Sequence, residues 1–207
     1  MEQNTSITME RLSISSKEEI IDLNQITLRP FHLSDLDDLM VWHTDEKVAE
    51  FWGEPYTSKN QGINFIKNMA SKYLRCKAIC HNDHAIGCIK LSSISLDDKR
   101  RNICAELGYV LGSKYWGKGI ATCAVKQMVK VAFSEFPYLE RLQALVDVDN
   151  IRSQRVVEKV GFQKEGVLRK YVFFKGKSRD FIMFSLLSSD LQLMRMFKVK
   201  NLHIAQF

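Results

Sequence analysis

Between Gly112 and Gly119 the chain reads GSKYWGKG, and these residue types at this spacing can hold a phosphate. An apolar run, AELGYVLG, leads into the loop, and a helix-like pattern opens at Ile120. The spacing approaches G-x-x-x-x-G-K-[ST], but Gly119 stands where the magnesium-holding hydroxyl belongs, which argues against a magnesium-nucleotide site. A dinucleotide fingerprint follows the first strand of a parallel sheet. This loop follows the fourth strand of a mostly hairpin-connected series. Two readings are left. One is a plain turn from strand to helix. The other needs only backbone: the first N–H groups of a helix have no internal partner and carry positive potential, so a pyrophosphate can rest on them without a metal. Glycines let a bulky anion come close, and Lys114 and Lys118 add charge.

The elements that must position this loop follow from periodicity. ITLRPF (Ile26 to Phe31) alternates and stops at Pro30, as a strand does. Ser34 is expected to cap a helix carrying Leu36, Leu39, Met40 and His43 on one stripe. FWGEPY is expected to be an aromatic loop, and Ser58 to start a second helix through Ile63, Phe65, Ile66 and Met69. LRCKAIC and AIGCIKLSSI flank the polar turn HNDH and predict a hairpin. AELGYVLG is the next strand. Ile120 to Phe136 predicts a long helix, with Ile120, Ala124, Met128 and Ala132 in one row. RLQALVDV predicts a strand, followed by a short helix to Lys159. GVLRKYVFF and RDFIMFSLL bracket KGKS as a second hairpin. The order is β-α-α-β-β-β-α-β-α-β-β, a mixed α/β domain over 25–187. Residues 1–24 are expected to be a flexible segment, with a helical turn allowed at SKEE, and 188–207 an extension with helical character.

Bulk properties exclude several classes. The 207 residues are 45% apolar and 26% charged, as in ordinary soluble globular proteins. No apolar stretch is long enough to span a bilayer, and the first residues lack a basic and an apolar signal region. Thirty basic against twenty-four acidic side chains leave +6, which suits an anionic ligand. The charge is too diffuse for nucleic acid, and the densest basic segment, DDKRRN, reads as a solvated turn. None of the five cysteines lies in a C-x-x-C pair. Cys76 and Cys80 on one strand would be about 13 Å apart, beyond disulfide reach. All five are expected to be reduced thiols of a cytoplasmic protein, the nucleus remaining open as a second location.

The chain resembles the GNAT superfamily of acetyl-CoA-dependent N-acetyltransferases, in particular its RimJ/RimL-like branch with its plant members. The resemblance runs from Ile26 to about Leu187 and rests on three motifs in the family's order. ITLRPFHLSDLDDLMVW resembles the opening strand and helix. AELGYVLGSKYWGKGIATCAV resembles the signature strand, pyrophosphate loop and helix. NIRSQRVVEKVGFQKEGVLRKYVFFKGKSRD resembles the closing helix and hairpin. The resemblance implies a mostly antiparallel sheet splayed between strands 4 and 5, flanked by helices on both faces. It implies acetyl-CoA as co-substrate and no metal.

It also implies roles. The pantetheine arm would pair with the backbone of Tyr109, Val110 and Leu111. The diphosphate would sit on the amides of Gly117, Lys118, Gly119, Ile120, Ala121 and Thr122, with Trp116 where many members carry Gln or Arg. Glu106 would be the base that frees the acceptor amine, or an anion that only holds it. The Val110 N–H would donate to the thioester oxygen. Asn150 would hold pantetheine and Ser153 donate to sulfur, helix capping being the plainer role for both. Many members place a tyrosine acid at the position of Val157, so thiolate protonation falls to Ser153, water or the departing ammonium proton, with Tyr171 a remote substitute. Trp52 and Glu54, in a loop that walls the acceptor cleft in relatives, would meet the acceptor. That acceptor would be a small amine or a protein N-terminus, and the protein a monomer or homodimer without nucleic-acid or membrane partners. A CoA-binding module with little turnover, or a transferase of another acyl chain, is the alternative.

Overall fold

A computed structural model describes residues 21–94 and 103–191. SKEE, DDKRRN and most of both end segments lie outside the described residues. β1 (Ile26–Arg29), β2 (Arg75–His81), β3 (His84–Ser93) and β4 (Cys104–Leu111) precede α4 (Ile120–Glu135), and β5 (Arg141–Asp147), β6 (Gln163–Phe174) and β7 (Lys177–Leu187) follow it. They form one seven-stranded sheet in the order β1-β2-β3-β4-β5-β7-β6. All neighbours are antiparallel except β4 and β5. Both hairpins turn on two residues of positive φ: Asn82 and Asp83, then Lys175 and Gly176. That backbone twist matches the strands it joins.

The helices cover both faces. α1 (Leu36–His43), α2 (Glu46–Trp52) and α3 (Lys59–Lys72) pack on one side, where Leu39, Trp42 and Val48 meet Cys88 and Val110. On the other side α4 buries Ile120, Ala124, Val125, Met128, Val129 and Ala132. These meet Leu107, Leu142 and Phe184 of the sheet and Val157 of α5 (Ile151–Val160).

Two local expectations are corrected. The N-cap position of the first helix is Asp35 rather than Ser34, and no side chain caps it: a 3-10 turn, Leu33–Asp35, precedes it, and the Asp35 carboxylate closes that turn by accepting from the His32 N–H at 2.7 Å. FWGEPY is a loop only from Gly53 onward. Phe51 and Trp52 close a seven-residue helix whose N-cap, Asp45, accepts from the Lys47 N–H. The cap is a standard signal, masked by Gly53 and Pro55 just downstream.

Asp35 also ties β1 to the first hairpin through Arg29. Both its oxygens accept from Arg29 at 2.8 Å, and Arg29 reaches on to Asp83 in the first hairpin. Burial pulls the Asp35 carboxyl upward, but the Arg29 hydrogen bonds, the His32 N–H and the Arg29 charge together hold it below its ordinary value. A carboxyl lowered in the folded state adds stability that is present above its unfolded value and lost as pH falls through the folded one. Asp35→Ala is therefore expected to cost about 2 kcal/mol near neutrality, since a half-buried partner keeps some water. In a melt that is a fall of about 4–8 °C. The gap between wild type and variant closes as pH drops below about 4. A gap that stays constant with pH would show that packing, not charge, makes the contribution.

Candidate active site

The parallel pairing of β4 with β5 spans only Cys104, Ala105 and Glu106 against Arg141, Leu142 and Gln143. Beyond Glu106 the strands part. On that side Tyr109, Val110 and Leu111 have no strand partner, although on the other they pair with Ile89, Cys88 and Gly87. Gly87 is required there, because a β-carbon would drive into the Val110 carbonyl. Backbone groups left open in a cleft call for a partner that carries amides of its own.

The loop after β4 is tightly held. The Gly112 N–H donates to the Ile86 carbonyl at 3.0 Å, the Ser113 N–H to Asp45 at 3.1 Å, and the Trp116 indole N–H to the Leu111 carbonyl at 2.7 Å. Gly117 and Gly119 both take positive φ, +78° and +80°. Gly119 is the N-cap of α4 and, lacking a side chain, caps nothing. The first intrahelical bond is Cys123 N–H to the Gly119 carbonyl. The amides of Ile120, Ala121 and Thr122 thus open into the cleft as free donors at the positive end of a sixteen-residue helix. No carboxylate lies in the first turn to compete with an anion.

The opposite wall is α5. The Asn150 side chain accepts from the Ser153 N–H at 3.1 Å, which is the capping role. Ser153 and Asn150 both line the cleft. The Tyr109 hydroxyl crosses the gap and donates to the Ser153 carbonyl at 3.1 Å. Burial pushes that phenol up to about 12, so it stays protonated. Val157 is fully buried and offers nothing to the cleft. Arg152, Arg155 and Lys159 also line it, and the Arg152 guanidinium lies 5.3 Å from the Trp116 ring centroid. Sequence reasoning passed these three by. Their spacing of three and four residues put them on one helical face, and that was the available signal.

The cleft encloses about 380 Å³ and brings together Tyr109, Val110, Leu111, Trp116, Gly117 and Gly119 with Ile120, Ala121, Thr122, Asn150 and Ser153. Val48, Phe51 and Trp52 of α2 also line it. Glu106, Lys118, Glu54 and Tyr171 do not line it. Glu106 sits half-buried at the last rung before the gap, 3.5 Å from the Gln143 amide nitrogen. Glu54 is exposed, and Tyr171 lies half-exposed on β6 against Phe181. His43 is buried, stacked on Tyr56 with centroids 3.4 Å apart. Burial lowers its pKa, keeping the ring neutral. All five cysteines are free thiols. Among the described residues no cluster of His, Cys, Asp or Glu could hold a metal ion, and no helix is long and apolar enough to cross a membrane.

Residues 25–163 match the acetyltransferase (GNAT) domain profile. An uncharacterized N-acetyltransferase, p20, of Bacillus licheniformis is 32% identical over 83% of this chain and 98% of its own length. The [ribosomal protein uS5]-alanine N-acetyltransferase of Escherichia coli K12 is 31% identical over 41% of this chain and 43% of its own. In structure, the spermidine N-acetyltransferase of Vibrio cholerae in complex with CoA and spermine superposes with a TM-score of 0.67. That match covers 80% of this chain and 97% of the other, at 23% identity.

Proposed function

Because the chain belongs to the acetyltransferase (GNAT) family, we propose that it moves an acetyl group from acetyl-CoA to a primary amine by direct attack in a ternary complex. The observation that carries this reading is the parting of β4 from β5 after Glu106, beside the uncapped head of α4. A pantetheine arm presents amides at strand-like spacing, and the open edge of Tyr109 to Leu111 pairs with them. The free amides of Ile120, Ala121 and Thr122, with the approach kept open by Gly117 and Gly119, take the diphosphate. Lys118 beside them, with Arg152, Arg155 and Lys159 across the cleft, adds charge, and Trp116 holds the loop in shape.

Chemistry then needs a free amine, a polarised carbonyl and an outlet for the thiolate. The Glu106 carboxylate takes the ammonium proton, directly or through one water. The Val110 N–H donates to the carbonyl oxygen as negative charge builds there. With Val157 buried, Ser153 at the mouth of α5, water or the released ammonium proton supplies the thiolate. Asn150 orders the α5 head against which the arm lies. Trp52 walls the acceptor end. Glu54 and Tyr171 have weaker claims, because Glu54 is exposed in its loop and Tyr171 lies on β6 against Phe181, whereas Glu106 stands on the last rung before the strands part. The acceptor is a small amine or a protein N-terminus: relatives include an enzyme named for the alanine of uS5 and one crystallised with spermine.

The test is a panel of peptides and small amines incubated with protein and acetyl-CoA. Free thiol is followed by a chromogenic reagent and products by mass spectrometry. Amine-dependent thiol release with a gain of one acetyl group is expected. CoA binding with no amine-dependent release would reduce the protein to a binding module. Faster release from a longer acyl-CoA would replace acetyl as the transferred group.

A further inference from the structure

Lys90 is a cation without an ion pair among the described residues, set on the face of the sheet that carries Glu106. In the β3–β4 pairing Lys90 lies opposite Gly108, and Ser92 opposite Glu106. Successive strand residues alternate faces, so Glu106, Gly108 and Val110 share one side. That side belongs to α1–α3, because Val110 packs with Trp42 and Val48 while Leu107 and Leu111 pack with α4. Gly108 has no side chain, and the Lys90 stem lies across it: a β-carbon there would be 3.1 Å from Lys90 Cε.

The ammonium is held in place. It lies 4.6 Å from the Tyr73 ring centroid and 5.0 Å from that of Trp52, and it donates to the Tyr73 hydroxyl at 3.2 Å. Two aromatic faces stabilise a cation without neutralising it. An ammonium has three N–H donors, and only the Tyr73 hydroxyl accepts from it among the described residues. Arg29, Arg75, Arg141 and Arg179 each pair with a carboxylate, whereas Lys90 forms no ion pair among the described residues. Trp52, whose ring the ammonium faces, also lines the cleft, although Lys90 itself does not.

We propose that Lys90 is a specificity-determining residue that recognises a carboxylate on the acceptor. The acceptor is then an amine with an anionic group a few bonds away, its ammonium toward Glu106 and its carboxylate toward Lys90. This rests on the acetyltransferase reading and narrows it. Glu106 and Gly108 are two residues apart, about 7 Å along the strand. That is the span from the α-amine of an extended peptide to a carboxylate on its second residue. A polyamine would bring a second ammonium toward Lys90 and is disfavoured by like charge.

Calorimetric titration of the CoA-saturated protein tests this without turnover. The probes are Ser-Asp-Ala amide against Ser-Asn-Ala amide, 5-aminopentanoate against 5-aminopentanamide, and spermidine. Wild type is expected to bind the acidic member of at least one pair about tenfold more tightly, the low end for one hydrogen bond to a charged group. The peptide pair reads a protein N-terminus and the second pair a small amino acid. Lys90→Met keeps the stem between the rings and is expected to abolish the preference while strengthening spermidine binding. Lys90→Arg is expected to keep the preference. CoA affinity and melting temperature of both variants show that the fold is intact. Equal affinity within both pairs, no binding of any of the four, or a preference that survives in Lys90→Met overturns the assignment. Absence of acetyl transfer in the amine panel would instead defeat the underlying function, so the two failures are distinguishable.

Discussion

Gly119→Val is expected to weaken coenzyme A binding by about a hundredfold or more, equivalent to about 2.8 kcal/mol. Gly119 has φ +80°, where an L side chain is strained and a β-branched one most of all. A β-carbon there would lie 3.4 Å from Leu23 Cδ1, an ordinary contact. The protein can therefore accommodate a β-carbon, and packing of that atom is not what fails. Valine leaves two outcomes for the backbone. Either it keeps its conformation and puts two methyl groups beside the amides of Ile120 and Ala121, or it rotates out of the left-handed region and turns those amides away. Both remove the anion's seat. The strain itself costs about 1–2 kcal/mol, or a fall of about 2–8 °C in melting temperature. Gly119→Ala, with the same strain and less bulk, is expected to fall between. Isothermal titration with coenzyme A reads the result, and an unchanged Kd in Gly119→Val would remove the helix head from the binding site.

Glu106→Gln is expected to lower kcat by about a hundredfold near neutral pH, the lower range for loss of a general base, with coenzyme A affinity unchanged. Glutamine matches the carboxylate in shape and keeps its place on the last rung opposite Gln143 and Ser92. What it loses is the ability to take a proton. At low pH the acceptor amine is an ammonium and the loss is greatest. As pH rises the amine deprotonates in solution and the deficit narrows. A pH–rate series on both proteins distinguishes this from electrostatic holding of the acceptor, which would raise KM and leave kcat alone. Identical profiles would remove Glu106 from the mechanism.

Much of this arrangement could be read from the sequence where local chemistry left few options. HNDH and KGKS sit between apolar runs, and both close as two-residue turns of positive φ. The Ile120 stripe spaces its apolar residues as one helical row, and that row is buried. The glycines before it were informative because glycine is the residue a left-handed turn requires. The acceptor side was harder. Asp45 caps α2, but Gly53 and Pro55 dominate the segment and made Phe51 and Trp52 look like loop residues. Asp35 acts as a cap from inside its turn and also as the partner of an arginine on β1, a tertiary role that no local pattern carries. Lys90 is the clearest case. In AIGCIKLSSI it reads as the polar step of an alternating strand, and its meaning depends on Gly108, Trp52 and Tyr73, eighteen, thirty-eight and seventeen positions away.

Three rungs join β4 to β5, and elsewhere along that line the sheet has no ladder. Mechanically the molecule is therefore a pair of leaves, β1 to β4 and β5 to β7, sharing a short spine. The chain crosses between them once, through α4, which packs against α5 on the second leaf. A guest wedged in the open fold would touch both leaves, so its grip would add to the cohesion of the whole. Loaded, the book is harder to tear than empty.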